Sequence, residues 1–255
     1  MRIKLIRHAT SILQYGGKKF LVDPMLSSAR SMAPVDFSPN TQKNPLVELP
    51  VTIEELLDVN AVLLTHTHRD HFDEGAARLL PKKIPIFCQP EDERKIADLG
   101  FTKVYPVQET FAWEGFAWEG INIIRTGGQH GSGDLAKKMG PVSGYILDAA
   151  GEPKVYFAGD TIWCSEIEVA LNKYHPNISV LYGGAAQFLE GGPITMTSED
   201  VIQVCRKISN MNVVVVHLEA FNHCLETRDE IKRALDIRGL SDRVWIPENG
   251  ELITF

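Results

Sequence analysis

The sequence predicts an α/β fold spanning residues 1–255 as one continuous domain. Three observations predict it. Short apolar runs alternate with capped amphipathic stretches in both halves of the chain, the pattern that builds sheets covered by helices. No linker separates the two halves. The composition, 44% hydrophobic and 23% charged, is that of a globular chain with enough apolar material to bury a core.

The elements follow in order. "IKLIR", "SILQY" and "KKFLVD" read as strands, and "YGGKK" between the last two is a hairpin signal. Residues 27–50, rich in Ser, Pro and Asn, read as a long connection of the kind that often carries function. "TIEELLD" is a short helix with Thr52 as N-cap and Glu55 three residues on. "AVLLT" is a buried strand, and "DEGAARLL" a helix capped by Asp73. A strand ("IPIFC"), a helix ending at Gly100 ("PEDERKIADLG") and a strand ("TKVYPV") follow. "FAWEGFAWEG" is a five-residue tandem repeat. It is too short for a solenoid and reads as strand and turn with packing tryptophans. Strands at "INIIRT", "SGYILD" and "KVYFAG" lead to the helix "SEIEVALNKY" and the strand "ISVLYGG". The helix "TSEDVIQVCRKIS", the strand "NVVVVH", the helix "TRDEIKRALD" and the strands "RVWI" and "ELITF" close the chain.

Charge and cysteine usage narrow the function classes. The net charge of −7 argues against a nucleic-acid partner, which calls for a basic face. The four cysteines form no C-x-x-C pair, so a disulfide framework is not expected and a reducing compartment is. The first residues lack the unbroken apolar stretch of a signal peptide. No run of 18 apolar residues offers a membrane span. A cytoplasmic location is the expectation, and the oligomeric state stays open.

The chemistry concentrates at "LTHTHRDHFD", where His66, His68, Asp70 and His71 fall within six positions at the end of a buried strand. In extended chain, residues two apart point the same way. His66 and His68, with Asp70 if the chain stays extended, can therefore aim at one point, while His71 suits a second. Imidazole and carboxylate are ligands for borderline divalent metals, and α/β folds place sites at such strand ends. An apolar strand ending in a ligand residue recurs in "INIIRTGGQHGSG" with His130, "VYFAGDT" with Asp160 and "VVVVHLE" with His217. Together these could complete a binuclear centre.

H-x-H-x-D-H, a downstream His, a strand-Gly-Asp-Thr and a final strand-His resemble the signature of the metallo-β-lactamase fold superfamily over nearly the whole chain. The resemblance implies a four-layer αβ/βα sandwich. It implies one metal on His66, His68 and His130, a second on Asp70, His71 and His217, and Asp160 bridging both. Zinc is the expected ion, with manganese and iron as alternatives. Asp23 in "LVDP" matches the early Asp that orders the loops behind the metals. His8, at a neighbouring strand end, is expected to support the ligands rather than bind metal. His223, in "HLEAFNHC", competes with His217 for the metal; His217 is favoured because it directly ends the apolar strand, which leaves His223 to face the substrate or to pack. Cys224 reads as a free buried thiol and His175 as exposed. "IRHATSILQYGGKKFLVDPML", "AGDT" and "ITMTSED" are similar, within the superfamily, to the L-ascorbate-6-phosphate lactonase branch.

The activity so implied is hydrolysis, with a metal-held water losing its proton near neutral pH and Asp70 orienting it and accepting that proton. Two divalent ions outweigh Asp70, Asp160 and a hydroxide by one charge, which favours a small anionic ester, lactone or phosphorylated metabolite. "GSGDLAKKMG" and residues 27–50 are the expected cleft walls. The rivals are a non-heme iron redox enzyme, a metal-holding sensor, and a nuclease that the acidic balance disfavours.

Overall fold

The computed structural model describes residues 1–108 and 115–255. It opens with an antiparallel meander of β1 (Arg2–Arg7), β2 (Thr10–Tyr15) and β3 (Lys18–Val22). Parallel strands β4 (Ala61–Leu63), β5 (Ile86–Cys88) and β6 (Val104–Pro106) extend it, with α1 (Ile53–Leu57), α2 (Glu74–Leu79) and α3 (Glu93–Asp98) in the connections. The second sheet repeats the scheme. β7 (Phe116–Trp118), β8 (Ile121–Thr126), β9 (Gly144–Ala149) and β10 (Val155–Phe157) pair antiparallel. β11 (Ile178–Tyr182), β12 (Asn212–Val216) and β13 (Val244–Trp245) then add in parallel. α4 (Gly133–Met139), α5 (Ser165–Tyr174), α6 (Ser198–Lys207) and α7 (Arg228–Ile237) lie between these strands in sequence. The chain ends at β14 (Leu252–Thr254), which returns to the first sheet antiparallel to β1.

Each sheet is apolar on both faces, and the two-residue period of a strand sorts its side chains between them. Val214 and Val216 of β12 join the core between the sheets, while Val213 and Val215 pack outward with Leu171 of α5, Val201 of α6 and Ile231 of α7. In the first sheet Phe20 and Val22 point inward. Leu21 points outward into a cluster holding Leu56 of α1, Ala76 of α2 and Ile96 of α3. Helix, sheet, sheet and helix are thus four layers, the αβ/βα sandwich expected from the sequence.

The capping signals act locally as read. The Thr52 hydroxyl accepts from the Glu55 N–H at 3.3 Å, and the Asp73 carboxylate accepts from the Ala76 N–H at 2.7 Å. Thr197 and Thr227 form capping boxes with Asp200 and Glu230. The four cysteines are unpaired. Among the described residues no helix is long and apolar enough to cross a membrane.

Two segments differ from, or only partly test, the sequence reading. "GSGDLAKKMG" contains a helix, α4, and is not all loop. It buries no residue, so it lacks the apolar face that makes a helix visible in sequence, and glycines flank it. The first copy of the repeat falls largely on residues 109–114, outside the described residues. The second copy is β7 and a turn at Glu119 and Gly120, both with positive φ. Trp118 packs edge-on against Phe20 and Phe87 at 5.4 and 5.3 Å.

The connection at 27–50 carries no helix or strand beyond a Met32–Asn44 bridge, yet polar bonds pin it to the edge of the sheets. Buried Arg7 donates to the carbonyls of Met25 at 3.0 Å and Val47 at 2.8 Å. Asn44 and Asn222 exchange two hydrogen bonds, at 2.7 and 2.9 Å.

Candidate metal centre

Six strand ends converge on one edge of the sandwich. His8 follows β1, Asp23 follows β3, and His66, His68, Asp70 and His71 follow β4. His130, Asp160 and His217 follow β8, β10 and β12. Every histidine except His175 is gathered here, and His175 is exposed at the end of α5. The backbone is bent to achieve it: His8, Asp23 and His217 adopt positive φ, at 56°, 42° and 67°. Such geometry is costly for residues with a Cβ and persists where the surroundings impose it. Gly159, before Asp160, also has positive φ, and a Cβ there would stand 2.5 Å from the Ser143 carbonyl. The His217 N–H donates to the His8 carbonyl at 2.8 Å, tying the two sheets together at the site.

The ligand-type atoms fall into overlapping groups. His66, His68 and His130 form one, His8, Asp70, His71 and His217 a second, and His66, His71 and Asp160 a third. Asp160 faces both sides. Its Oδ2 lies 3.2, 3.6 and 4.0 Å from the Nε2 atoms of His71, His130 and His66, and its Oδ1 lies 3.3 Å from His217 Nε2. Asp70 Oδ2 lies 3.3, 3.6, 3.7 and 3.8 Å from the Nε2 atoms of His8, His217, His223 and His71. His8 stands closer to the centre than its sequence context indicated. Its positive φ turns the ring back onto His217, with centroids 3.6 Å apart.

Outer partners set the imidazole tautomers. His71 donates through Nδ1 to Asp23 Oδ2 at 3.0 Å, and His130 through Nδ1 to the Ile194 carbonyl at 2.8 Å. Carboxylates and carbonyls only accept, so these Nδ1 atoms carry protons. His66 Nδ1 meets Thr65 Oγ1 at 3.1 Å, and that hydroxyl donates to Asp23 Oδ2 at 2.8 Å, which leaves His66 Nδ1 as the donor. Tyr182 also donates to Asp23 Oδ2, at 2.7 Å. Asp23 thus orients His66 and His71 without joining the groups that could hold a metal.

The donors fit a metal. Buried His66 Nε2, His71 Nε2, His217 Nε2 and Asp160 Oδ1 have no hydrogen-bond partner, an arrangement that native proteins rarely leave unexplained. Burial holds His130 down to about 4 and His66 well below the usual range, so both imidazoles are neutral at pH 7, the state in which they could bind a metal. His71 differs. Burial opposes its charge, but Asp160, Asp70 and Asp23 outweigh burial and push it up to about 10.

A pH dependence follows. A metal held on His71 Nε2 must displace a proton, so uptake at neutral pH is expected to release protons. Apparent affinity should rise by up to about tenfold per pH unit for each proton displaced, levelling off near pH 10. The stability of the metal-free protein runs the other way. The folded value lies above the unfolded one of about 6.5, so the His71 contribution is full below that pH and is lost as pH rises through about 10. Zinc titration calorimetry in buffers of different ionisation enthalpy counts the protons. An affinity that is flat with pH would mean His71 takes no metal.

Residues 18–218 match the beta-lactamase superfamily domain. The UPF0173 protein YddR of Bacillus subtilis is 38% identical over 262 residues, with both chains covered in full. The chain belongs to the UPF0173 family. A UPF0173 metal-dependent hydrolase of Azorhizobium caulinodans is 26% identical over 258 residues, covering 98% of each chain. Among solved structures, the isothiocyanate hydrolase from Delia radicum gut bacteria superposes with a TM-score of 0.95 at 37% identity, covering 100% of this chain and 99% of the other. The protein is therefore a metal-dependent hydrolase of the UPF0173 family.

The centre of this UPF0173 protein opens through a mouth of about 220 Å3 lined by His68, Asp70, His130 and His223, with Val35, Met139 and Phe188 as apolar walls and Arg69 at one side. Val35 and Met139 come from the two stretches expected to form the cleft. Phe188 had no sequence signal beyond lying past a strand end. Thr65 and Tyr182 were also missed, although each sits at a strand end like the ligands. Cys224 Sγ lies 3.7 Å from His217 Nδ1. Burial raises the Cys224 thiol, but the His217 and His223 imidazoles outweigh it and bring it down to about 7.

Proposed function

We propose that this UPF0173 protein hydrolyses a small electrophile with an apolar side group, an isothiocyanate being the first candidate. In this reading His66, His68 and His130 would hold one divalent ion, zinc first, Asp70, His71 and His217 would hold a second, and Asp160 would serve as a ligand to either. The observation that carries the substrate class is the mouth. Its 220 Å3 lies below the ~300–1,000 Å3 of ordinary ligand pockets, and Val35, Met139 and Phe188 offer its walls no charge. The likeness to an isothiocyanate hydrolase points the same way.

When bound, a divalent pair lowers the pKa of a coordinated water towards about 7 and polarises the bond under attack. The chain supplies the rest. The apolar walls hold the side group and exclude competing water. Asp70 Oδ2, at the inner end of the mouth, takes the proton of the attacking water. His223, whose buried Nδ1 has no partner, delivers a proton to the leaving atom. For an isothiocyanate, water adds to the central carbon, the C–N bond breaks, and the amine and carbonyl sulfide leave.

Arg69 in the mouth favours a second reading, a small anionic ester, lactone or phosphorylated metabolite, including a phosphorylated lactone. A hydrolysis panel separates the two: allyl isothiocyanate, a phosphorylated lactone, a phosphodiester, a nitrophenyl ester and single-stranded RNA, each with zinc and with manganese. Allylamine and carbonyl sulfide are the expected products. Turnover confined to the anionic substrates would establish the second reading. RNA cleavage would establish a nuclease, and inactivity on all with metal bound would favour a sensor.

A further inference from the structure

A second cavity lies on the far side of the metal loop. Its volume of about 590 Å3 exceeds that of the catalytic mouth and falls within the ~300–1,000 Å3 of small-molecule sites. Met32, Phe72 and Leu99 give it an apolar lining, and Arg69, Arg78 and Lys95 place three cations around it. Arg78 is exposed and makes no hydrogen bond or ion pair among the described residues.

Two carboxylates also line the cavity, Asp73 and Glu74. Asp73 is turned to the backbone, accepting from the N–H groups of Leu26 at 3.0 Å, Ser27 at 2.7 Å and Ala76 at 2.7 Å. Glu74 is exposed. The lining is net positive in a chain whose overall charge is −7.

The cavity is joined to the metal centre by two side chains. Arg69 lines both spaces, and its Nη2 donates to the Pro34 carbonyl at 2.8 Å. Ala33 lines the larger cavity and Val35 the mouth, so the Arg69–Pro34 bond closes the partition between them. Lys95 Nζ donates to the carbonyl and hydroxyl of Thr67 at 3.1 and 2.8 Å. Thr67 lies between His66 and His68.

We propose that this cavity is a second binding site, for a small organic anion with an apolar body. The anionic group pairs with Arg78 and its neighbours, where charge-assisted hydrogen bonds are strongest, and the body lies on Met32, Phe72 and Leu99. Occupancy pulls on Arg69 and Lys95 and is felt at the metal loop. The site stands apart from the substrate reading, because the group that selects the ligand, Arg78, is absent from the mouth.

The chain has six methionines, one in each space: Met32 in the cavity and Met139 in the mouth. The test titrates phenylacetate into the zinc-loaded full chain carrying 13C at the methionine methyls, assigned with Met32→Leu and Met139→Leu. The Met32 resonance is expected to shift and saturate before Met139 moves. Binding is expected to weaken at least about tenfold for the uncharged 2-phenylethanol and for Arg78→Glu, while Arg78→Glu keeps its melting temperature and basal turnover. A stationary Met32, movement of Met139 alone, or equal binding by Arg78→Glu and the natural protein would each overturn the proposal. None of these outcomes depends on which substrate is hydrolysed.

Discussion

Asp160→Ala is expected to lower turnover by about 10³-fold and to leave the protein unable to retain a metal pair through dialysis. The magnitude follows from the several kcal/mol that metal assistance supplies, at about 1.4 kcal/mol per factor of ten. Asp160 is singled out because its two oxygens face different partners: Oδ2 meets His71, His130 and His66, and Oδ1 meets His217. No other carboxylate among the described residues touches both groups in this way. On the proposed two-ion arrangement, removing it should cost both sites, whereas removing His130 should cost one. Burial works against the Asp160 charge, but His217 and His71 outweigh it and keep the group ionised. With alanine there, those histidines lose the partner that raised them and can stay neutral, so the chain should still fold. Turnover and metal content by elemental analysis decide the point. Two retained metals with turnover within about tenfold of the natural protein would sink the bridging role.

Much of this site could be read from local sequence, for reasons particular to each element. The cluster at His66–His71 was visible because strand periodicity and strand-end placement are short-range properties. Val213 to Val216 announced a strand, and β12 is one, buried on both faces. Thr52 and Asp73 announced helix starts because a cap and its N–H partner lie three residues apart. What sequence hid depends on packing between distant segments. Tyr182 bonds Asp23 across 159 positions, and nothing in "ISVLYGG" marks its hydroxyl as a partner. His8 read only as a supporting residue, because its place among the ligand-type atoms comes from a positive φ and from the sheet-to-sheet bond to His217. Phe188 reaches the mouth from a loop with no periodic signal. The outer partners that orient ligands, and the walls that choose substrate, come from tertiary contacts that no local pattern encodes.

Asp70→Asn is expected to lower kcat by at least about 10²-fold, the usual contribution of positioned acid–base help, in a protein that remains folded. Asp70 precedes α2 by a few residues but does not cap it. The cap belongs to Asp73, whose carboxylate accepts from the Ala76 N–H. Asp70 Oδ2 instead faces His8, His217, His223 and His71 between 3.3 and 3.8 Å. Burial alone would push this carboxyl up, but the His71, His217 and His8 imidazoles that face it outweigh burial and hold Asp70 well below the usual carboxylate range. The group is thus ionised at neutral pH and able to accept a proton. Asparagine keeps the shape and one oxygen but cannot take that proton. Metal content separates the two contributions: a variant that binds the metals yet turns over slowly has lost the acceptor, and one that has lost a metal has lost a ligand. If Asp70→Asn holds its metals and its kcat within about threefold, the proton goes elsewhere. His223, the other titratable group in the mouth lacking a partner for its buried Nδ1, is then the residue to replace.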